Sequence, residues 1–187
     1  MYMKSIIYYA FGFCMVIACS KNNSTDSKEM AEEENKDKLE NTDIKKDAEF
    51  AVAAADGGML EVKLGELAVK NANSAQVREF GQKMVDEHGK GNAQLKALAE
   101  QKGISIPTVL SDKNQKVVDD LALKTGTDFD KAYADLMVKD HKEDIKEFKK
   151  EAEKGEDPEL RAWAGEILPT LEHHLQMAES AAASLGK

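Results

Sequence analysis

A pentapeptide used twice constrains this chain more than any other feature: Met84-Val85-Asp86-Glu87-His88 returns 53 residues later as Met137-Val138-Lys139-Asp140-His141. The correspondence extends beyond these residues. Phe80 and Tyr133 each lie eight residues before the histidine, and Leu95 and Phe148 each lie seven after it. The stripes Val77, Phe80, Met84, His88, Gly91, Leu95, Leu98 and Phe129, Tyr133, Met137, His141, Ile145, Phe148 advance in threes and fours. Each copy is therefore one face of a helix at about 3.6 residues per turn. In both copies the histidine lies on the apolar face, so a titratable imidazole sits inside a core-facing stripe. That gives the address of a site rather than its reaction.

The rest of the body reads as helix too. Three Pro, and an abundance of Ala, Leu, Lys and Glu, favour helices over strands. A first helix is expected over 47–73 with Phe50, Ala54, Leu60, Leu64, Leu67 and Ala68 as its apolar set. Adjacent Gly57 and Gly58 interrupt it or permit a close backbone approach. Ser74 caps a second helix that Gly103 stops. The connection 103–126 holds Pro107 and a short amphipathic segment, Asp112 to Lys124. Thr127 or Asp128 caps a third helix ending near Gly155, and Asp157-Pro158 opens a fourth, with Pro158 at the first helical position and Pro169 inside. Four long helices with a crossover containing a short extra helix predict an all-α, ferritin-like four-helix bundle over 45–187.

The first 44 residues differ. Lys4 followed by the apolar run Ile6 to Ile17 reads as a signal peptide over 1–18, too short to span a bilayer. It ends in Val16-Ile17-Ala18-Cys19, which resembles a bacterial lipobox, so Cys19 is expected to carry the lipid as the new N-terminus. Residues 19–44 then read as the lipidated N-terminus and a disordered tether, nearly all Lys, Asn, Ser, Asp and Glu. Ser20 after Cys19 resembles the pattern for sorting to the outer membrane. The formal charge of −9 and the lack of a basic run exclude nucleic acid as a partner, leaving the membrane, through the lipid, as the partner expected.

Only four histidines are present, and His88, His141 and His174 fall on apolar faces of different helices, whereas His173 points elsewhere. Glu61, on the small-residue stripe Ala54, Gly57, Glu61, Gly65, Ala68, reads equally as tucked against a neighbouring helix or facing solvent. All four residues lie close to their helix midpoints, within about 5 Å of one mid-plane. Glu61, His88, His141 and His174 thus form a candidate layer with the donor set for zinc, iron or another divalent transition metal. A His-Glu-His layer satisfied only by hydrogen bonds fits the same pattern. Glu87 and Asp140, one residue before their histidines, read as surface charges or as groups that orient the imidazoles. Met84, Met137, Phe80, Tyr133 and Trp163 read as packing. A Glu three residues before His, as in di-iron enzymes, is missing, and so are CxxCH, HExxH and a nucleophile elbow. No catalytic residue is assigned.

The lipobox, Glu61-Val62, both copies of the Met-Val-x-acid-His motif, Phe129-Asp130-Lys131-Ala132-Tyr133, and Leu168-Pro169 followed by His174-Leu175 together resemble domain-of-unknown-function family 4142 over about 45–185. This resemblance implies a ferritin-like helical bundle, a bacterial cell-envelope location and the importance of His88, His141 and His174. It implies no reaction.

Overall fold

The computed structural model describes residues 26–186. The expected leader 1–18, the lipidation position Cys19 and residues 20–25 lie outside the described residues. The described residues form six helices: α1 Ser27–Leu39, α2 Lys45–Asn71, α3 Ala75–Lys102, α4 Asp112–Ala122, α5 Gly126–Lys154 and α6 Pro158–Leu185. Among the described residues no helix is long and apolar enough to cross a membrane.

α2 and α3 pair as one hairpin and α5 and α6 as another, with α4 in the crossover between them. α3 also packs on α6, and α5 on α2, which closes a bundle. The helix limits follow local chemistry. Ser74 accepts from the Val77 N–H, and Gly103 at φ 67° ends α3 in the left-handed region that favours glycine. Asp157 accepts from the N–H groups of Glu159 and Leu160 ahead of Pro158. α5 differs from expectation. It starts at Gly126, ahead of the expected caps Thr127 and Asp128, and its N-cap residue Thr125 makes no side-chain hydrogen bond.

Two buried aspartates join the hairpins. Asp130 of α5 accepts from the Asn73 and Ser74 N–H groups at 2.9 and 2.8 Å, in the turn between α2 and α3. Asp47 of α2 accepts from the Glu156 and Asp157 N–H groups at 3.1 and 2.5 Å, in the turn between α5 and α6. Arg78 donates to the Ala72 and Asn73 carbonyls, and Arg161 donates to that of Gly155. Asp47 and Asp130, and Arg78 and Arg161, are each 83 positions apart, so the hairpins repeat one another and each supplies the acid that caps the other's turn.

The glycine pair does not interrupt α2. Of its two expected roles the close approach holds, since a Cβ on Gly58 would collide with the Asn92 side chain of α3. Farther along, a Cβ on Gly65 would sit 2.7 Å from the Gly81 carbonyl oxygen, so small residues set the α2–α3 spacing. The tether expectation is corrected for Ser27–Leu39. Asp26 caps this segment, and Ala31, Asn35 and Leu39, four residues apart, are buried. Asn35 donates to the Ser105 carbonyl and accepts the Ser105 N–H, both at 2.7 Å. This paired polar contact docks a helix whose scarcity of apolar residues pointed to disorder.

The core has two apolar halves. Leu64, Phe80, Met84, Tyr133 and Met137 belong to one, with Phe80 and Tyr133 edge to face at 5.7 Å. Leu95, Phe148, Leu160, Trp163 and Leu171 belong to the other. On α3 the histidine lies between Met84 and Leu95, on α5 between Met137 and Phe148, and on α6 between Leu171 and Ala178. A polar layer therefore separates the halves.

Candidate functional site

That layer brings Glu61, His88, His141 and His174 together, one from each long helix. All four are at least 91% buried, and His141 and His174 are fully so. Glu61 Oε2 lies 2.8 Å from His88 Nδ1, and its Oε1 lies 3.4 Å from His141 Nε2. His88 Nε2 meets His174 Nδ1 at 3.1 Å, and His174 Nε2 meets Glu87 Oε2 at 2.7 Å. His141 Nδ1 faces the Met137 carbonyl at 3.0 Å. His173, adjacent on α6, is exposed and outside the layer.

Three further carboxylates belong to the site. Glu87, read as a surface charge or as an orienting group, does the latter for His174, and Lys83 holds it at 3.0 Å from the other side. Asp140 is not a surface charge: it is half-buried, with an oxygen that has neither solvent nor a hydrogen-bond partner. Asp144 escaped the sequence reading. Glu61, Asp140 and Asp144 each offer an oxygen within 4.8 Å of the others, and the three imidazoles each offer a nitrogen within the same limit. Carboxylates absent three residues before the histidines thus arrive one residue before and three after His141. Asp144 had a signal, because it is 83 positions from Glu61, in the register that pairs Asp47 with Asp130.

Burial dominates the electrostatics. It pushes His88 down to about 4, His174 to about 4 and His141 to about 3, with the neighbouring His88 imidazole adding to the effect on the other two. It raises Glu61 well above the usual carboxylate range, reinforced by Asp140, and raises Asp144 likewise, reinforced by Glu61. Asp140 is pushed up to about 6 by burial and Glu143. Burial opposes ionisation of Glu87 as well, but hydrogen bonds from Lys83 and His174 hold it below the ordinary value.

These directions order the protons. A neutral imidazole carries one N–H. With Glu87 ionised, His174 donates to it from Nε2 and accepts at Nδ1 from His88 Nε2–H. His88 Nδ1 then accepts from a protonated Glu61 Oε2. His141 spends its N–H on the Met137 carbonyl. Its Nε2 lone pair is left facing Glu61 Oε1, also a lone-pair acceptor, and both atoms are buried without a hydrogen-bond partner. Two acceptors across 3.4 Å with no donor between them leave desolvated lone pairs uncompensated, which a hydrogen-bonded core avoids.

A cavity of about 350 Å³ opens onto this layer from the flank, with Glu61, His88 and Asp144 at its inner end and Phe148, Trp163 and Leu171 along one wall.

Fold and site define an all-helical bundle crossed by a buried imidazole–carboxylate layer. The family model described as Domain of unknown function (DUF4142) matches residues 28–181, and the chain belongs to this family. The match begins inside α1, so the family unit includes the helix that composition assigned to the tether. Comparison with curated proteins and with solved structures found no match.

Proposed function

We propose that this is a lipid-anchored protein of the bacterial cell envelope, with a ferritin-like bundle that binds a divalent transition metal through Glu61, His88, His141 and His174. The observation that carries the metal is the facing pair Glu61 Oε1 and His141 Nε2, two buried acceptors without a donor. A cation between them satisfies both, and imidazole with carboxylate is the donor set that zinc and iron accept. The anchor rests on the lipobox-like Val16-Ile17-Ala18-Cys19 and the outer-membrane preference on Ser20, the bundle facing the periplasm or exterior. No reaction is assigned, because binding alone accounts for the residues named.

One observation favours a second reading, a purely hydrogen-bonded layer in an envelope interaction module. The chain Glu61–His88–His174–Glu87 is complete without a metal, at 2.8, 3.1 and 2.7 Å. Elemental analysis of untagged protein separates the two. Metal binding predicts stoichiometric copurifying metal, a lower Tm on chelation, and loss of metal in His141→Ala but not in His173→Ala. A hydrogen-bonded layer predicts a stability loss in His141→Ala with no response to chelator in any variant.

A further inference from the structure

The cavity beside the layer contains an anomaly of sequence. Gly57 on α2 and Gly91 on α3 both line it, and both stand in helix interiors, where glycine is the poorest former after proline. Neither has a positive φ. Nor does crowding forbid a side chain: a Cβ on Gly57 meets nothing within 4 Å, and one on Gly91 meets only Ile167 Cδ1 at 3.7 Å. Gly58 and Gly65 are different, since there the opposite helix occupies the space. What a side chain at Gly57 or Gly91 would occupy is the cavity itself.

The acidic groups of the lining are ordered by depth. Glu166 is exposed at the rim, Glu87 and Asp144 are half-buried, and Glu61 is buried at the inner end, against a single cationic side chain, Lys90, which is exposed. Carboxylates toward the rim attract cations and repel anions, and the buried carboxyl oxygens farther in are ligand atoms for one that enters. Asn92 and Thr170 add half-buried oxygens that can replace water on an incoming ion. Size agrees as well. Six waters at roughly 30 Å³ each make a hydration shell of about 180 Å³, less than the cavity volume of about 350 Å³.

We propose that this cavity is the channel by which a hydrated divalent cation reaches the core layer, kept open by Gly57 and Gly91; this rests on the metal-binding reading above. The ion enters with its waters past Glu166 and sheds them at Asp144, Glu61 and His88, where burial favours direct ligands.

The test is the rate of Co²⁺ uptake by the metal-free full-length protein, followed by visible absorption after rapid mixing. Gly57→Leu and Gly91→Leu should each slow uptake about ten-fold or more, as expected of an obstructed approach, while the final occupancy stays that of the wild type. Gly57→Ala adds only the Cβ that the space accepts, so its smaller slowing serves if a leucine variant does not fold. The control is Gly89→Leu, an exposed α3 position outside the cavity, which should load at the wild-type rate. Glu166→Lys should also slow uptake and weaken its dependence on salt. Wild-type rates in Gly57→Leu and Gly91→Leu, or equal slowing in Gly89→Leu, overturn the channel and leave metal binding intact. A wild-type protein that takes up no Co²⁺ overturns both.

Discussion

Glu61, buried at the inner end of the cavity, lies against two imidazoles and two carboxyl groups, and the charge of each neighbour depends on the others. Its neighbour Asp140 allows the sign of this coupling to be measured. Burial and Glu143 raise Asp140 from 3.8 in the unfolded chain to about 6 in the fold. The folded state therefore binds more protons than the unfolded one between those values, and the group's stabilising contribution, full below pH 3.8, is lost as pH rises through about 6. Asp140→Asn removes that loss. In metal-free protein the stability of Asp140→Asn relative to wild type should climb by on the order of 2–3 kcal/mol between pH 4 and pH 6.5 and then level off, as measured by urea unfolding. A difference that is flat or falls with pH would show that Asp140 is ionised in the fold. The imidazoles act in the opposite sense. His141, depressed from 6.5 to about 3, costs stability as pH falls below 6.5, so the wild type alone shows only the residue of two opposed trends. At this scale the sequence was informative where a polar residue interrupted an apolar stripe, as His88, His141 and His174 do. Asp144 was hidden because Lys142, Glu143, Lys146 and Glu147 around it make the stretch read as a solvated face, and no local pattern separates the one acid that turns inward.

Helices were legible almost to their ends, since Ser74, Gly103 and Asp157-Pro158 act through their own neighbours in the chain. The failures came where a partner lies far away in sequence. α1 is held by Asn35 against Ser105, and α5 opens without a local cap. The conspicuous repeat of 53 residues also links helices that are not equivalent, because α3 and α5 belong to different hairpins and occupy different places in them. The equivalence that organises the bundle is the quieter one of 83, carried by Asp47 with Asp130 and Arg78 with Arg161. It predicts matched effects at distant positions. Asp130→Ala strands the N–H groups of Asn73 and Ser74, and Asp47→Ala those of Glu156 and Asp157. Each should cost about 3–6 kcal/mol in chemical unfolding, two charge-assisted hydrogen bonds at about 1.5–3 kcal/mol apiece. A cost under 1 kcal/mol at either site would mean that water replaces the carboxylate, and the hairpins are then not clamped to one another.

For the molecule as a whole, the proposed anchor gives the test of place: Cys19→Ala should move the protein from the membrane pellet to the soluble fraction after cell fractionation, and retention in the pellet would refute lipid attachment at that residue. The two clamps also express the symmetry of the bundle. A lone hairpin with one such Asp and one such Arg cannot cap its own turn, yet two identical copies related by a two-fold axis cap each other, so a dimer of single hairpins closes the same circuit. The present chain has that symmetry and has broken it at the site. In the 83-residue register His141 corresponds to Gly58, His174 to Gly91 and His88 to Leu171, while Glu61 keeps an acid, Asp144, as its counterpart. These four counterparts, Gly58, Gly91, Leu171 and Asp144, line the cavity together with Glu61 and His88. The cavity thus lies where the internal repeat fails: glycine in the first hairpin stands at the positions where the second carries imidazoles, so a bundle otherwise close to two-fold has its layer filled on one side and approachable on the other.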